Sequence, residues 1–424
     1  MSPDMNRRTF LFQAGALAAS RRALASPNER INAGFIGVGG MGSGRLREFM
    51  SQPDVNVAAI CDADGTHLAR AVELVKEKRG VAPAGVRDFR KLLEMKEVDV
   101  VVIATPDHWH ALTTVEACRA GKDVFVEKPL CHSIYEGRAM VEAARRHERV
   151  TQMGNHIHND LPNFRRVVEV VRSGMLGDIR RVYCWIRSNP KGIGSPPDAA
   201  PPPELDYDLW LGPAPKRAYN PNRSHRVFRN FWDYSGGVFI DFWCHITDVA
   251  WWALDLKAPQ SVAAAGGRWV EGEDNGETPN TMEVVYDFPG MVLSWNVNTR
   301  GVPGFESRSI GCVFQGTQAT LVTGYQDHEV WVNGKLERDF KRPEPSIPDS
   351  PGHIREFLDA VKSRAATSCS VEYGHRLNKG GLLGNLAYRT GRRIYWDDAR
   401  EAVVGDAGAQ RLSARRYRKP WKLS

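Results

Sequence analysis

The chain has 424 residues, 42% hydrophobic and 25% charged, with a formal net charge of +7. The length exceeds one average domain and predicts two, and the apolar content is ordinary for a soluble globular protein. Four arginines and one aspartate precede Ser26, so the remainder carries only +4, spread too evenly to argue for a nucleic-acid partner.

Near the start of the chain, from Met5, stands "MNRRTFLFQAGALAAS". Arg7 and Arg8 stand before a short, mildly apolar run, Arg21 and Arg22 follow it, and "ALAS" supplies a small-x-small cleavage site near Ala25. Residues 1–25 read as a twin-arginine signal, which predicts the twin-arginine export machinery as a partner and a periplasmic or otherwise exported location. The apolar run is too short to span a bilayer, and no other stretch approaches about 18 consecutive apolar residues, so no membrane span is expected in the mature form.

Residues 30–155 alternate strand and helix at the spacing of parallel βαβ units. "INAGFIGVGG" is a strand running into glycines, and "SGRLREFM" is helical. Gly37, Gly39 and Gly42 fit G-x-G-x-x-G, with Gly40 and Met41 in the same turn. Such a loop lets backbone N–H groups approach a pyrophosphate at a helix N-terminus. The second strand, "VNVAAICDAD", ends at Asp62, placed to accept hydrogen bonds from both ribose hydroxyls and to repel a 2′-phosphate. This favours NAD over NADP, with Asp64 as the weaker substitute for Asp62. A third strand ends at Thr105-Pro106, with His108 and His110 at the start of the next helix; His110 is expected to pack against the cofactor. A fourth strand ends at Glu127-Lys128-Pro129 and a further one at Asn155. Ligands in such sheets bind beyond the carboxyl ends of the strands, where Asp62, Pro106, Lys128 and Asn155 all fall.

Residues 156–424 change texture. Strand-like runs such as "DIRRVYCWIRSN", "TPNTMEVVYDF" and "MVLSWNVNT" predict an open, largely antiparallel sheet in an α+β domain. The proline-rich "PPDAAPPPELDYDLWLGPAP" reads as an irregular connection. "DYSGGVFIDFWCHITDVAWWAL" is a helix in which Asp241 and His245 are i and i+4, with Asp248 one turn further along that face. The Asp241 carboxylate is expected to hold one ring nitrogen of His245 and leave the other for substrate. "HIREFLDAVKSR" and "KGGLLGNLAYRTGRRI" are two more helices, and the basic "RLSARRYRKPWKLS" reads as a solvated or surface-wrapping tail. Cys61, Cys118, Cys131, Cys184, Cys244, Cys312 and Cys369 form no C-x-x-C pair and suit buried free thiols better than disulfides or zinc ligands. No metal is expected.

"GFIGVGGMG", "ATPDHWHA", "VEKPL" and the D-x-x-x-H of "DFWCH" together resemble the glucose–fructose oxidoreductase, inositol dehydrogenase and MocA (Gfo/Idh/MocA) family from about Ile31 to the C-terminus. The resemblance implies a nicotinamide-binding domain, a second domain whose open sheet supports a homo-oligomer (dimer or tetramer), and sugars or polyols as substrates. It implies that Lys128 is the catalytic lysine and that Asp241 and His245 are the catalytic pair. Oxidising a secondary alcohol sends a hydride to nicotinamide and a proton to a base, and burial beside a positive ring brings a lysine into proton-transfer range. His156, His158 and Trp232 are further substrate-binding candidates, with Arg223, Arg226 and Asp233 weaker ones.

A twin-arginine substrate is exported folded, so a bound NAD has to be returned to its starting redox state at each turnover. A sugar oxidoreductase with tightly bound NAD and a second substrate does this. So does a redox-neutral glycosidase or lyase that oxidises C3 and eliminates the C1 substituent. Glycosidases of that kind occur in the family, but their usual loop departs from the Glu127-Lys128-Pro129 kept here, which favours the oxidoreductase. A non-catalytic carbohydrate-binding protein on the same fold is the third reading.

Overall fold

The structure is a computed structural model that describes residues 30–301 and 307–423. The expected signal, residues 1–25, lies outside the described residues. Among the described residues, no helix is long and apolar enough to cross a membrane.

The first domain is a six-stranded parallel sheet. Its strands are β1 (Ile31–Ile36), β2 (Val55–Cys61), β3 (Ala84–Val86), β4 (Val100–Ile103), β5 (Asp123–Glu127) and β6 (Thr151–Gly154), in the order β3-β2-β1-β4-β5-β6. Every residue of β4 and β5 is buried, as both faces of a parallel sheet require. Helices α1 (Gly40–Met50) and α2 (Gly65–Arg79) cover one face through Leu46, Phe49 and Val75. Helices α3 (Asp107–Arg119) and α4 (Ile134–Arg146) join the larger core, which runs unbroken into the second domain.

The second domain is a ten-stranded sheet, mixed because β7 (Ile179–Arg187) lies parallel to Met291–Asn298 while its other pairings are antiparallel. One face is covered by α5 (Pro162–Arg172), α6 (Gly237–Leu254) and, further along the chain, Val371–Thr390. Helix α6 is apolar nearly all round and accordingly buried, with Trp243 and Trp251 fully enclosed.

Several local expectations differ from the structure. The proline-rich connection contains one helical turn, Tyr207–Leu211, because prolines are absent between Glu204 and Gly212 and Asp206 Oδ1 caps the Leu209 N–H at 3.0 Å. The helix read as continuing to Ile394 stops at Thr390, where Gly391 takes a left-handed φ of 62°, and Ile394 begins a strand. Helix His353–Ser363, within the second stretch of the chain, also packs its Phe357 against Phe49 and Phe125 of the first domain. Of the two readings of the basic tail, the surface-wrapping one fits: Arg415 and the Tyr417 hydroxyl both bind Glu136 of α4 at 2.6 Å. All seven cysteines are buried and free.

Candidate active site

A cavity of about 630 Å³ lies beyond the carboxyl ends of β1, β2, β4 and β5. Gly37, Gly39, Gly40, Met41, Asp62, Thr105, Pro106, Glu127 and Lys128 all border it. The loop geometry depends on its glycines. Gly37 has φ +82°, and a Cβ on Gly42 would sit 2.0 Å from the Gly37 carbonyl oxygen. A Cβ on Gly40 would meet nothing within 4 Å, so space remains at the start of α1 for a pyrophosphate. Asp62 is held by two backbone donors, Val38 N–H to Oδ2 (2.8 Å) and Asp64 N–H to Oδ1 (2.9 Å), which aims the carboxylate into the cleft. Thr105 Oγ1 is buried without a protein partner. An open anion cradle, a ribose-side carboxylate and an orphaned hydroxyl fit a nicotinamide dinucleotide.

Lys128, at the end of β5, joins the two domains. Its Nζ donates to Asp241 Oδ1 at 2.6 Å and to the Asp241 carbonyl at 3.0 Å. Arg229 pairs with the same Oδ1 at 3.0 Å. Burial alone would raise the Asp241 carboxyl, but the adjacent Lys128 and Arg229 outweigh it and hold the group at about 2. His245, one turn along α6, is pushed down to about 3 by burial and then by the Lys128 charge. Its ring is bordered by Phe242 (5.4 Å), His156 (6.2 Å) and Tyr325 (6.3 Å). Burial also lowers His156. Both imidazoles are therefore neutral at pH 7.

The expected Asp241–His245 hydrogen bond is not formed. The shared helix face is present, but Asp241 Oδ1 turns to the two cations. Other expected ligands also face elsewhere. His108 is fully buried, with Nε2 on the Trp210 carbonyl at 3.0 Å. His110 lies between the carbonyls of Pro129 (2.8 Å) and Thr105 (2.9 Å), bracing the two strand-end turns. Glu127 still borders the cavity, but its carboxylate is ion-paired with Arg45 of α1. Asn155 Nδ2 donates to Asp248 Oδ2 at 2.7 Å, and His158 Nε2 lies 3.1 Å from Asp248 Oδ1 while its ring stacks on Trp252. This buried knot ties the end of β6 to α6. Trp232 sits under Arg389 and beside Tyr388, and Asp233 pairs with Arg217; neither borders the cavity. Arg223 packs on Phe231, whereas Arg226 does border the cavity.

The sequence reading missed Arg229, His225, His67 and Tyr325. The first two lie in an irregular stretch where no periodicity announces a direction. His67, on the first turn of α2, is raised by the neighbouring Asp62 carboxylate. Asp64, His67 and His225 bring donor atoms within 4.8 Å of one another at the mouth of the cavity.

Residues 31–155 match the family model described as "Oxidoreductase family, NAD-binding Rossmann fold". Residues 165–287 and 312–423 match its "C-terminal alpha/beta domain". Among curated proteins, the chain is 29% identical over 203 residues to a glycosyl hydrolase family 109 protein of Shewanella pealeana, covering 41% of this chain. It is 32% identical over 160 residues to an alpha-N-acetylgalactosaminidase of Shewanella oneidensis, covering 37% of this chain. The matches span only 44% and 35% of those relatives' own lengths. Among solved structures, the fold is similar to the WlbA dehydrogenase from Bordetella pertussis, in complex with NADH and UDP-GlcNAcA, with TM-score 0.64, 18% identity and coverage of 87% of this chain and 98% of that one. A levoglucosan dehydrogenase in complex with NADH and L-sorbose superposes with TM-score 0.63 at 18% identity, over 87% of this chain and 99% of that one.

Proposed function

The chain belongs to the Gfo/Idh/MocA oxidoreductase family, and from that premise we propose that it oxidises a secondary hydroxyl of a sugar, glycoside or polyol with NAD held in the cleft of its first domain. The observation that carries this reading is Lys128, delivered by the NAD-binding domain and paired with Asp241 of the other domain, beside a neutral His245. NAD, when bound, supplies the hydride acceptor. The ionised Asp241 engages two of the three Lys128 donors and leaves one N–H for the substrate oxygen. That N–H stabilises negative charge developing on the oxygen as the hydroxyl ionises. His245, uncharged, accepts the hydroxyl proton.

The names of the two Shewanella relatives favour a second reading, a redox-neutral glycosidase. There the same first step makes a C3 ketone, a base removes the C2 proton, and the C1 substituent leaves. Water adds at C1 and the ketone is reduced again. His156, neutral and next to His245, is the base this requires. We favour the oxidoreductase because Lys128 stands in the intact Glu-Lys-Pro turn.

Incubation with a chromogenic glycoside and no acceptor separates the two. The oxidoreductase gives at most one equivalent of reduced cofactor and stalls, and a keto-sugar or dye acceptor restarts it. Sustained aglycone release with solvent deuterium at C2 overturns this choice in favour of the glycosidase. No cofactor reduction and no release by either route supports a binding protein.

The Arg7-Arg8 segment supports export through the twin-arginine route. The sheet face left uncovered by helices, with Val285 and Val292 exposed, supports a homo-oligomer.

A further inference from the structure

Residues 188–236 run from β7 of the second domain to α6, and on the way they cross to the mouth of the cofactor cleft. They are fastened there to the loop after β2, the loop that carries Asp62. Asp206 N–H donates to the Ala63 carbonyl at 3.0 Å, and Gly65 N–H donates to the Glu204 carbonyl at 2.9 Å. The Arg87 guanidinium reaches the same Glu204 carbonyl. His225 Nε2 lies 3.0 Å from Asp64 Oδ2, and its ring is 4.7 Å from that of His67. Asp64 is itself fixed, since its Oδ1 accepts the Thr66 and His67 N–H groups at the start of α2. The anchor is therefore a rigid helix terminus.

The inner side of this arm is a wall of the cavity. Leu209, Trp210, Arg226, Phe228 and Arg229 all border it. Arg226 and Arg229 bring positive charge to a space whose expected occupant carries two phosphates. The C-terminal segment backs the arm. Arg418 N–H donates to the Pro213 carbonyl at 3.0 Å and its Nε to the Gly212 carbonyl at 2.9 Å. Trp421 packs edge-on to Trp109 at 4.9 Å, and the Trp109 indole donates to the Trp210 carbonyl at 3.0 Å.

We propose that this arm is a latch closed over the dinucleotide, with Asp64–His225 as its side-chain catch, so that NAD is a resident of the fold and not an exchanging co-substrate. The inference rests on the NAD reading above and adds the residues that retain the cofactor. Release requires the arm to lift from the loop after β2, breaking the two backbone bonds and the catch together. A resident cofactor in turn requires a second carbonyl or acceptor, or a redox-neutral cycle, to regenerate it at every turnover.

The test uses the full chain purified with its bound nucleotide. Isotopically labelled NAD is loaded, and its loss into an excess of unlabelled NAD is followed. The wild-type protein is expected to hold label for hours. His225→Ala should speed the loss about tenfold, the worth of one hydrogen bond of ordinary net strength. His225→Gln, whose amide N–H can still donate to Asp64, should recover most of the difference. Hydrogen exchange at the Gly65 and Asp206 amides should rise in His225→Ala with the β1 amides unchanged. Equal label loss in wild type and His225→Ala, or wild-type exchange within seconds, overturns the latch while leaving the NAD reading intact. A wild-type protein that neither carries nor takes up a nicotinamide dinucleotide overturns both.

Discussion

Lys128 Nζ stands 2.6 Å from Asp241 Oδ1, closing an ion pair between residues 113 apart in sequence and on different domains, with side chains only 9% and 15% exposed. Both charges leave water and neither is free to move. The pair therefore locks α6 against the end of β5 and fixes where the remaining Lys128 N–H points. The chemistry proposed here depends on that lock.

Lys128→Met should leave the fold and bound NAD in place and lower the rate by about 10²–10³, the usual worth of one donor to a developing oxyanion. His245→Ala should lower it by about 10²–10⁴, the usual worth of a proton-transfer group. Single-turnover absorbance of the reduced nicotinamide at saturating sugar measures this. Near-normal turnover in either variant removes that residue from the mechanism.

Asp241→Ala tests the lock itself. It strands Lys128 and Arg229 in a mostly buried site without their counter-charge, which typically costs about 3–5 kcal/mol. Urea unfolding followed by circular dichroism should show a lower midpoint with an unchanged slope. A stability loss below about 1 kcal/mol would mean that water screens the pair as it does at a surface.

Gly40→Ala and Gly42→Ala separate cofactor space from packing space. A Cβ at Gly40 meets no protein atom within 4 Å, so this variant should fold normally and lose NAD affinity. A Cβ at Gly42 collides with the Gly37 carbonyl at 2.0 Å, so that variant should lose stability as well. Thermal melts with and without NAD distinguish them. In the same titration, Asp62→Ala should weaken NAD more than NADP, because the carboxylate that binds ribose hydroxyls also repels a 2′-phosphate.

Acid should destabilise the protein well before its carboxylates titrate. Burial holds His353 at about 3, against 6.5 when exposed, and its Nε2 rests 3.0 Å from the Met153 carbonyl at the seam between the domains. The unfolded chain binds this proton more readily than the folded one. The His353 contribution is thus complete above pH 6.5 and is lost as pH falls towards 3, by roughly 1.4 kcal/mol per unit. His353→Gln should flatten stability against pH between 6 and 4. An unchanged slope over that window excludes His353 as the cause.

Replacing Arg7 and Arg8 with lysine should leave the precursor in the cytoplasm. Unchanged accumulation outside it, measured by fractionation, defeats the twin-arginine reading.

Much of this protein was legible in the chain itself, because the relevant signals are local. The run from Ile31 through Gly37 to Gly42 reads as strand, turn and helix within a dozen residues, and the buried valines of β4 announce a parallel sheet by composition. Asp62 and Lys128 could be placed because a strand's end is visible from sequence and the sheet puts every such end on one edge. The tertiary structure decided the rest, and for one physical reason. Periodicity tells which face a side chain shares but not what a distant segment brings to that face. Asp241 and His245 do share a helical face, yet Lys128 and Arg229 arrive beside Asp241 and outcompete the imidazole for its carboxylate. Asn155 and His158 follow β6 as a ligand-binding loop should, yet the buried Asp248 carboxylate needs partners and takes both. The proline-rich stretch carries no pattern at all, and only its docking on the loop after β2 makes it a wall of the cleft.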